Sequence, residues 1–184
     1  SDLLSCTKTD LTYASTSGGY LTEADNYYYN NIRQIFAFGE EQALEANTYT
    51  KKGYLFKGWA IKPSGAVTYT EKQTIKNLSA DADAVIPLYA VWESSAYEVS
   101  FNKNDAKASG SMINQGFRYD VSQKLNANAF TKTGYHFTEW NTAADYTGTA
   151  YADGANILNL TDQDGSVIPF YAKWTPNPYT VHFN

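Results

Sequence analysis

GYHFTEW, residues 134–140, is answered by GYLFKGW at residues 53–59, and this pair decides how the whole chain is read. The two stretches begin 81 residues apart, 134 against 53. Upstream, ANTYTKKGY (46–54) matches ANAFTKTGY (127–135) at the same distance. Downstream, NLSADADAVIPLYAVWE (77–93) matches NLTDQDGSVIPFYAKWT (159–175) at 82, one residue having been gained where IKPSGAV faces TAADYTGT. Phe36 and Phe38 fall on Phe117 and Tyr119, and Leu44 on Leu125. Self-similarity at a fixed period is the signature of a repeat architecture, and the chain is written twice.

The two copies serve as a substitution series. Gly53/Gly134, Tyr54/Tyr135, Phe56/Phe137, Trp59/Trp140, Tyr69/Tyr151, Tyr89/Tyr171 and Trp92/Trp174 agree, whereas Lys57/Thr138, Gly58/Glu139 and Val91/Lys173 differ. Side chains alternate across a strand. VIPFYAKW therefore places Ile168, Phe170, Ala172 and Trp174 on one face, matched by Ile86, Leu88, Ala90 and Trp92 in the first copy. That face reads as core, and the four tryptophans are expected to be largely buried. Tyr135 and Phe137 share a face of their strand and read as aromatic core, with His136 opposite and partly exposed, where the other copy has Leu55.

Along one unit, strands are expected at 97–102 (YEVSFN), at 115–121, at the GY segment and at VIPFYAKW. Short helical segments are expected at SQKLNAN (122–128) and at EEQALEAN (40–47). Pro87 and Pro169 lack an N–H, which places that end of the last strand at a sheet edge or bulge. The linkers ESSA (93–96) and TPNP (175–178) are short enough to hold the units in a restricted relative orientation.

Composition bounds the setting. The 184 residues carry a net charge of −5, with a pI near 5.0. Nothing there provides the basic surface needed for nucleic acid or an anionic membrane. Sixteen tyrosines, abundant Thr, Asn and Gly and only 18% charged residues suit strands joined by turns. No apolar run approaches the roughly 18 residues of a membrane helix, so direct membrane insertion is not expected. The single cysteine, Cys6, forms no intrachain disulfide. The chain reads as β-rich and extracellular.

The order YxVxFN, QxFxY, NxFTKxGYxFxxWNT, NLT, VIPFYAKWT is similar to the Listeria–Bacteroides repeat, related to the internalin B-repeat. Residues 97–175 match nearly throughout and residues 31–93 more loosely. The resemblance implies an α+β, predominantly β fold: two tandem β-grasp-like (ubiquitin-like) units with little helix. It also implies a place in secreted or wall-attached bacterial surface proteins, and no catalytic residues. On this reading residues 1–94 are the first unit, with 1–30 diverged, and 95–176 are the second. Residues 177–184 contain YTVHFN, a repeat of YEVSFN, and read as the opening strand of a truncated third unit, ordered by docking on a neighbouring surface. Two departures stand out: KNDAKASG replaces the double glycine after the first strand, and the first copy has no clear YxVxFN.

Candidate sites are few. TDQDGS (161–166) has the look of a calcium loop, but an EF-hand started at Asp162 lacks the required glycine and glutamate, since those positions hold Val167 and Lys173. It reads as a turn, as do the sequons at Asn77 and Asn159. Asp153 and Glu71 correspond but have no recurring partner carboxylate, so paired acid–base catalysis is not indicated. No metal, no cofactor and no enzymatic activity are expected. Tyr27, Tyr28 and Tyr29, in DNYYYNN, are the candidate surface-binding residues, because exposed tyrosines join apolar area to a polar tip. The expected function is a non-catalytic extracellular spacer or stalk, with an adhesive role and adjacent repeats as its partners. The alternative is a module binding a glycan or a host or cell-wall protein through those tyrosines.

Overall fold

A computed structural model describes residues 33–184; Tyr27, Tyr28 and Tyr29 lie outside the described residues. The chain divides between Ala37 and Phe38, and every strand among the described residues lies in the unit from Phe38 to Asn184.

The second copy is built on strands β5 (Ala96–Asn102), β6 (Gln115–Arg118), β8 (Tyr135–Asn141), β9 (Ala150–Tyr151) and β11 (Val167–Pro176). They form one sheet in the order β6-β5-β11-β8-β9. β5 and β11 run parallel, in register from Val167↔Glu98 to Tyr171↔Asn102, and the other pairings are antiparallel. Alternation in YEVSF buries Tyr97 and Val99 and leaves Glu98 in solvent. These residues join Phe117, Leu125, Phe130, Trp140, Ile157, Phe170 and Ala172 in one cluster. Trp140, wholly buried, is the centre of an aromatic group with Phe101, Phe130 and Phe137.

The first copy repeats this pattern over its described part. β2 (Tyr54–Ala60) pairs with β4 (Tyr89–Ser94), and β1 (Glu41–Ala43) with β3 (Thr74–Lys76). Leu44 and Leu125 are both buried, as are Trp59 and Trp140. Left-handed backbone recurs at matching places: Asn77 and Asn159 have φ of 54° and 52°, and Lys72 and Gly154 have 57° and 65°.

The α+β expectation is overturned. Among the described residues there is no helix, and the fold is all-β rather than β-grasp-like. Both segments expected to be helical are short strands: β1 lies within 40–47, and β7 (Gln123–Lys124) within 122–128, paired to β10 (Asn156–Ile157). The buried Gln115 supplies one physical reason. Its Nε2 donates to the Lys124 carbonyl (2.7 Å) and its Oε1 accepts from the Asn126 N–H (2.7 Å), engaging outside groups that a helix would pair internally. Asn128 then bonds the backbone on both sides of Phe130, through Oδ1 to its N–H and Nδ2 to its carbonyl (both 3.0 Å). Such local bonds compete with helix. Each segment buries a single leucine, without the i, i+3, i+4 stripe that would hold a helix on a core.

Pro169 sits where the reasoning from its missing N–H places it. The first half of β11 pairs only with β5 and the second half with β8, so at Pro169 one flank of the strand is open. Of the four tryptophans, Trp59 and Trp140 are buried, whereas Trp92 and Trp174 are half-buried. Ile86 is exposed where Ile168 is half-buried. Ile168 lies in the stretch of β11 paired with β5; among the described residues, no strand pairs with the stretch around Ile86. Residues 178–184 form no strand within this chain, and Tyr179, Val181 and Phe183 are exposed.

Candidate functional site: the junction between the copies

Between β4 and β5 stands a single residue, Ser95, and it is buried. Its N–H donates to the Gly53 carbonyl (2.8 Å) and its carbonyl accepts from the Tyr119 N–H (2.9 Å), tying the end of one copy to the start of the next. Gly53 has φ of 73°, a left-handed conformation that L side chains resist. A side chain there would also run into the Tyr119 ring. That ring meets Tyr54 edge-on at 6.0 Å, and the Tyr54 hydroxyl donates to Asp120 Oδ2 (3.0 Å). Lys51 Nζ lies 3.8 Å from the centre of the Tyr54 ring, in cation–π contact. Arg118 Nη1 reaches the Ser94 carbonyl (3.2 Å) and Glu93 (3.4 Å), and Lys57 also pairs with Glu93 (3.1 Å). The Lys57 contact, aided by Arg118, holds the Glu93 carboxyl below its ordinary range. These exposed pairs contribute little to stability; the buried Ser95 and the aromatic packing define the junction.

TDQDGS belongs to the same boundary. Asp164 Oδ1 accepts from the Ala96 N–H (2.8 Å), and the Gly165 N–H donates to the Ala96 carbonyl (2.7 Å). The loop thereby clasps the first residue of β5. Asp162 instead accepts from Gln163 Nε2 (2.7 Å). Among the described residues, no cluster of three or more His, Cys, Asp or Glu is placed to hold a metal ion.

The sequon asparagines form turns in both copies. Asn159 Oδ1 accepts from the Asp120 N–H and Asn77 Oδ1 from the Gly39 N–H, each at 2.6 Å. Ser79 and Thr161 cap the turns beyond them, accepting from the Asp81 and Gln163 N–H groups (3.0 and 3.1 Å). Asp153 and Glu71 also play one part in both copies, their carboxylates accepting from the N–H of Asn128 and Asn47 (2.8 and 3.1 Å). The agreement between copies at these positions is thus structural. His136 is exposed, with Nδ1 2.8 Å from Asn177 Oδ1, and His182 is exposed far along the chain from it.

Tyr135, expected to face the core, is 37% exposed, with Lys132 Nζ 3.7 Å from its ring centre. The two-residue alternation of β8 fails to bury it because Tyr135 is the strand's first residue, beyond the cover of the cluster around Trp140. Sequence reasoning also missed Tyr119 and Gly53 as a contact; the shared aromatic at Phe38/Tyr119 was the available signal.

In the loop carrying KNDAKASG, Lys132 Nζ sits 2.7 Å from Asp105 Oδ2. The Lys132 hydrogen bond, with the Lys107 N–H as the next contributor, holds the Asp105 carboxyl below its ordinary value. A depressed carboxylate contributes stability above its unfolded pKa, near 4, and loses it as pH falls through the lowered folded value. Acid titration of the melting temperature should therefore show a component below about pH 4 that Asp105→Asn removes. An identical acid profile for the two proteins would refute this assignment.

The comparisons with known proteins agree with this organisation. The family model of the Listeria-Bacteroides repeat domain matches twice, at residues 11–91 and 97–173. A protein of Evansella cellulosilytica described as a Gly-rich membrane protein is 30% identical over 137 residues, covering 73% of this chain. The match takes in only 15% of that relative's length. No solved structure matches. With both matches falling on the two copies traced above, the chain belongs to the Listeria-Bacteroides repeat domain family, as two tandem repeats.

Proposed function

We propose that this chain is a non-catalytic extracellular segment of a bacterial surface protein, a spacer whose repeats are held at a set mutual angle. The junction carries this reading: one buried linker residue, Ser95, and the ring of Tyr119 against Gly53 leave little freedom between the copies. Membership of a repeat family and similarity to a membrane protein support the surface setting. Residues shared by the copies at the described turns and carboxylates serve backbone bonds rather than reactive chemistry. The adhesive role, by contrast, would rest on Tyr27, Tyr28 and Tyr29.

Small-angle scattering tests the spacer. The parent is expected to scatter as one rigid body from Phe38 onward, and Gly53→Val to loosen it. Valine at a left-handed φ costs on the order of 1–2 kcal/mol before any clash, and here it also displaces the Tyr119 ring. Tyr119→Ser removes the same contact without the backbone strain and should likewise widen the distance distribution. If neither variant changes the scattering, the junction does not set the angle.

A further inference from the structure

The face that Gly53 presents to Tyr119 is built a second time, and there it is bare. At the close of the second copy the Asn177 N–H donates to the Gly134 carbonyl (2.9 Å), as Ser95 does to Gly53 (2.8 Å). Gly134 has φ of 78° where Gly53 has 73°. Lys132 stands 3.7 Å from the Tyr135 ring centre where Lys51 stands 3.8 Å from that of Tyr54. Glycine, tyrosine, lysine and the departing backbone are thus arranged alike at both boundaries. The difference is the cover: a side chain at Gly53 would strike Tyr119, whereas among the described residues nothing lies within 4 Å of one at Gly134.

The piece that fills the first socket is the corner at Tyr119–Asp120, fixed by Asn159. The same corner exists in the first copy as Phe38–Gly39, fixed by Asn77 at the same 2.6 Å, and there Phe38 is 70% exposed. An aromatic residue therefore stands at this corner in both copies. Past Asn177 the chain reads YTVHFN, the counterpart of the YEVSFN that forms β5 and leads towards the Tyr119 corner. Tyr179, Val181 and Phe183 occupy the places of Tyr97, Val99 and Phe101, yet are exposed.

We infer that the Gly134–Tyr135 face is a docking socket for the aromatic corner of a further repeat unit in the same polypeptide, the one that YTVHFN begins. Head-to-tail contacts of this kind, in which each unit presents a different surface at each end, propagate as an open array wherever the rotation per unit does not close a ring. Every boundary then repeats the angle of the first. The inference rests on the rigid-spacer reading but is tested at a different glycine.

The test lengthens the 184-residue chain by a copy of residues 103–176 placed after Asn184, completing a unit on YTVHFN. Nitrogen-15 relaxation then reports whether the added unit tumbles with the rest. It is expected to share one correlation time with residues 38–176. Gly134→Val is expected to drop that time toward the value for a single free unit. Gly154→Val is the control, since Gly154 is also left-handed with nothing within 4 Å, and it should leave the tumbling unchanged. Independent tumbling of the added unit in the parent overturns the inference, as does an equal response to the two glycine substitutions. An added unit that does not fold on YTVHFN overturns it too. Failure here with a normal Gly53→Val response refutes only the socket; failure of both refutes the spacer reading.

Discussion

Trp140→Ala is expected to unfold the second repeat. Trp140 is wholly inaccessible and packs against Phe101, Phe130 and Phe137, with ring centroids 4.9, 6.0 and 4.9 Å away. Truncating a buried tryptophan costs about 3–5 kcal/mol. At about 0.05–0.15 kcal/mol per residue, a unit of this size holds only roughly 4–12 kcal/mol in all. The substitution therefore removes a large share of the margin. Among the described residues the indole N–H has no hydrogen-bond partner, so no acceptor is orphaned and the loss is one of packing. Trp140→Phe should be much milder, since it keeps aromatic bulk and deletes the unpartnered donor. Trp174→Ala should also cost less, because Trp174 is only half-buried. Thermal melts followed by near-ultraviolet circular dichroism check the order. If Trp140→Ala melts with the parent, the core is elsewhere.

Asn141→Ala is expected to cost about 2–4 kcal/mol, the sum of two backbone N–H groups losing their acceptor at about 1–3 kcal/mol each, partly offset by water entering the loop. Asn141 is buried, and its Oδ1 accepts from the Ala143 and Gly148 N–H groups (2.9 and 3.1 Å). Its Nδ2 faces the carbonyls of Tyr146 and Gly148 (3.4 and 3.3 Å). The first copy has Ala60 at this place, and its loop is one residue shorter. The asparagine thus organises the loop that gained a residue. Denaturant unfolding should report the loss, and hydrogen exchange should quicken at the Ala143 and Gly148 amides. Unchanged exchange at those two amides would show that the loop holds itself.

Much of this was legible because it obeys short-range rules. Alternation in VIPFYAKW foretold the buried Phe170 and Ala172, and YEVSFN was legible as a strand. Pro169 foretold an open flank on its strand. The helices failed because the residues that unmake them act from a distance. Nothing within SQKLNAN reveals that Gln115 reaches across to Lys124 and Asn126. Tyr135 was misplaced for a related reason: a two-residue period assigns a face, but where the core stops is a tertiary matter. The junction was half legible. A short linker announced restricted motion, whereas the fit of Tyr119 on Gly53 depends on two turns coming together in space. The first copy alone reads weakly, and the match at residues 11–91 reaches further upstream than its motifs do.

The parallel pairing of β5 with β11 has a mechanical consequence. The chain enters the second repeat at one end of β5 and leaves it from the opposite end of β11, after five paired positions from Val167↔Glu98 to Tyr171↔Asn102. When force is applied to the two ends of the repeat, tension pulls these two adjacent strands past each other lengthwise. Their hydrogen bonds are then loaded in shear, together, rather than peeled open one after another as in a hairpin pulled from its open end. Resistance to pulling is a matter of unfolding rate rather than equilibrium stability. A repeat of modest equilibrium stability can on this account resist a steady pull, with Ser95 passing the strain on to the neighbouring repeat without slack.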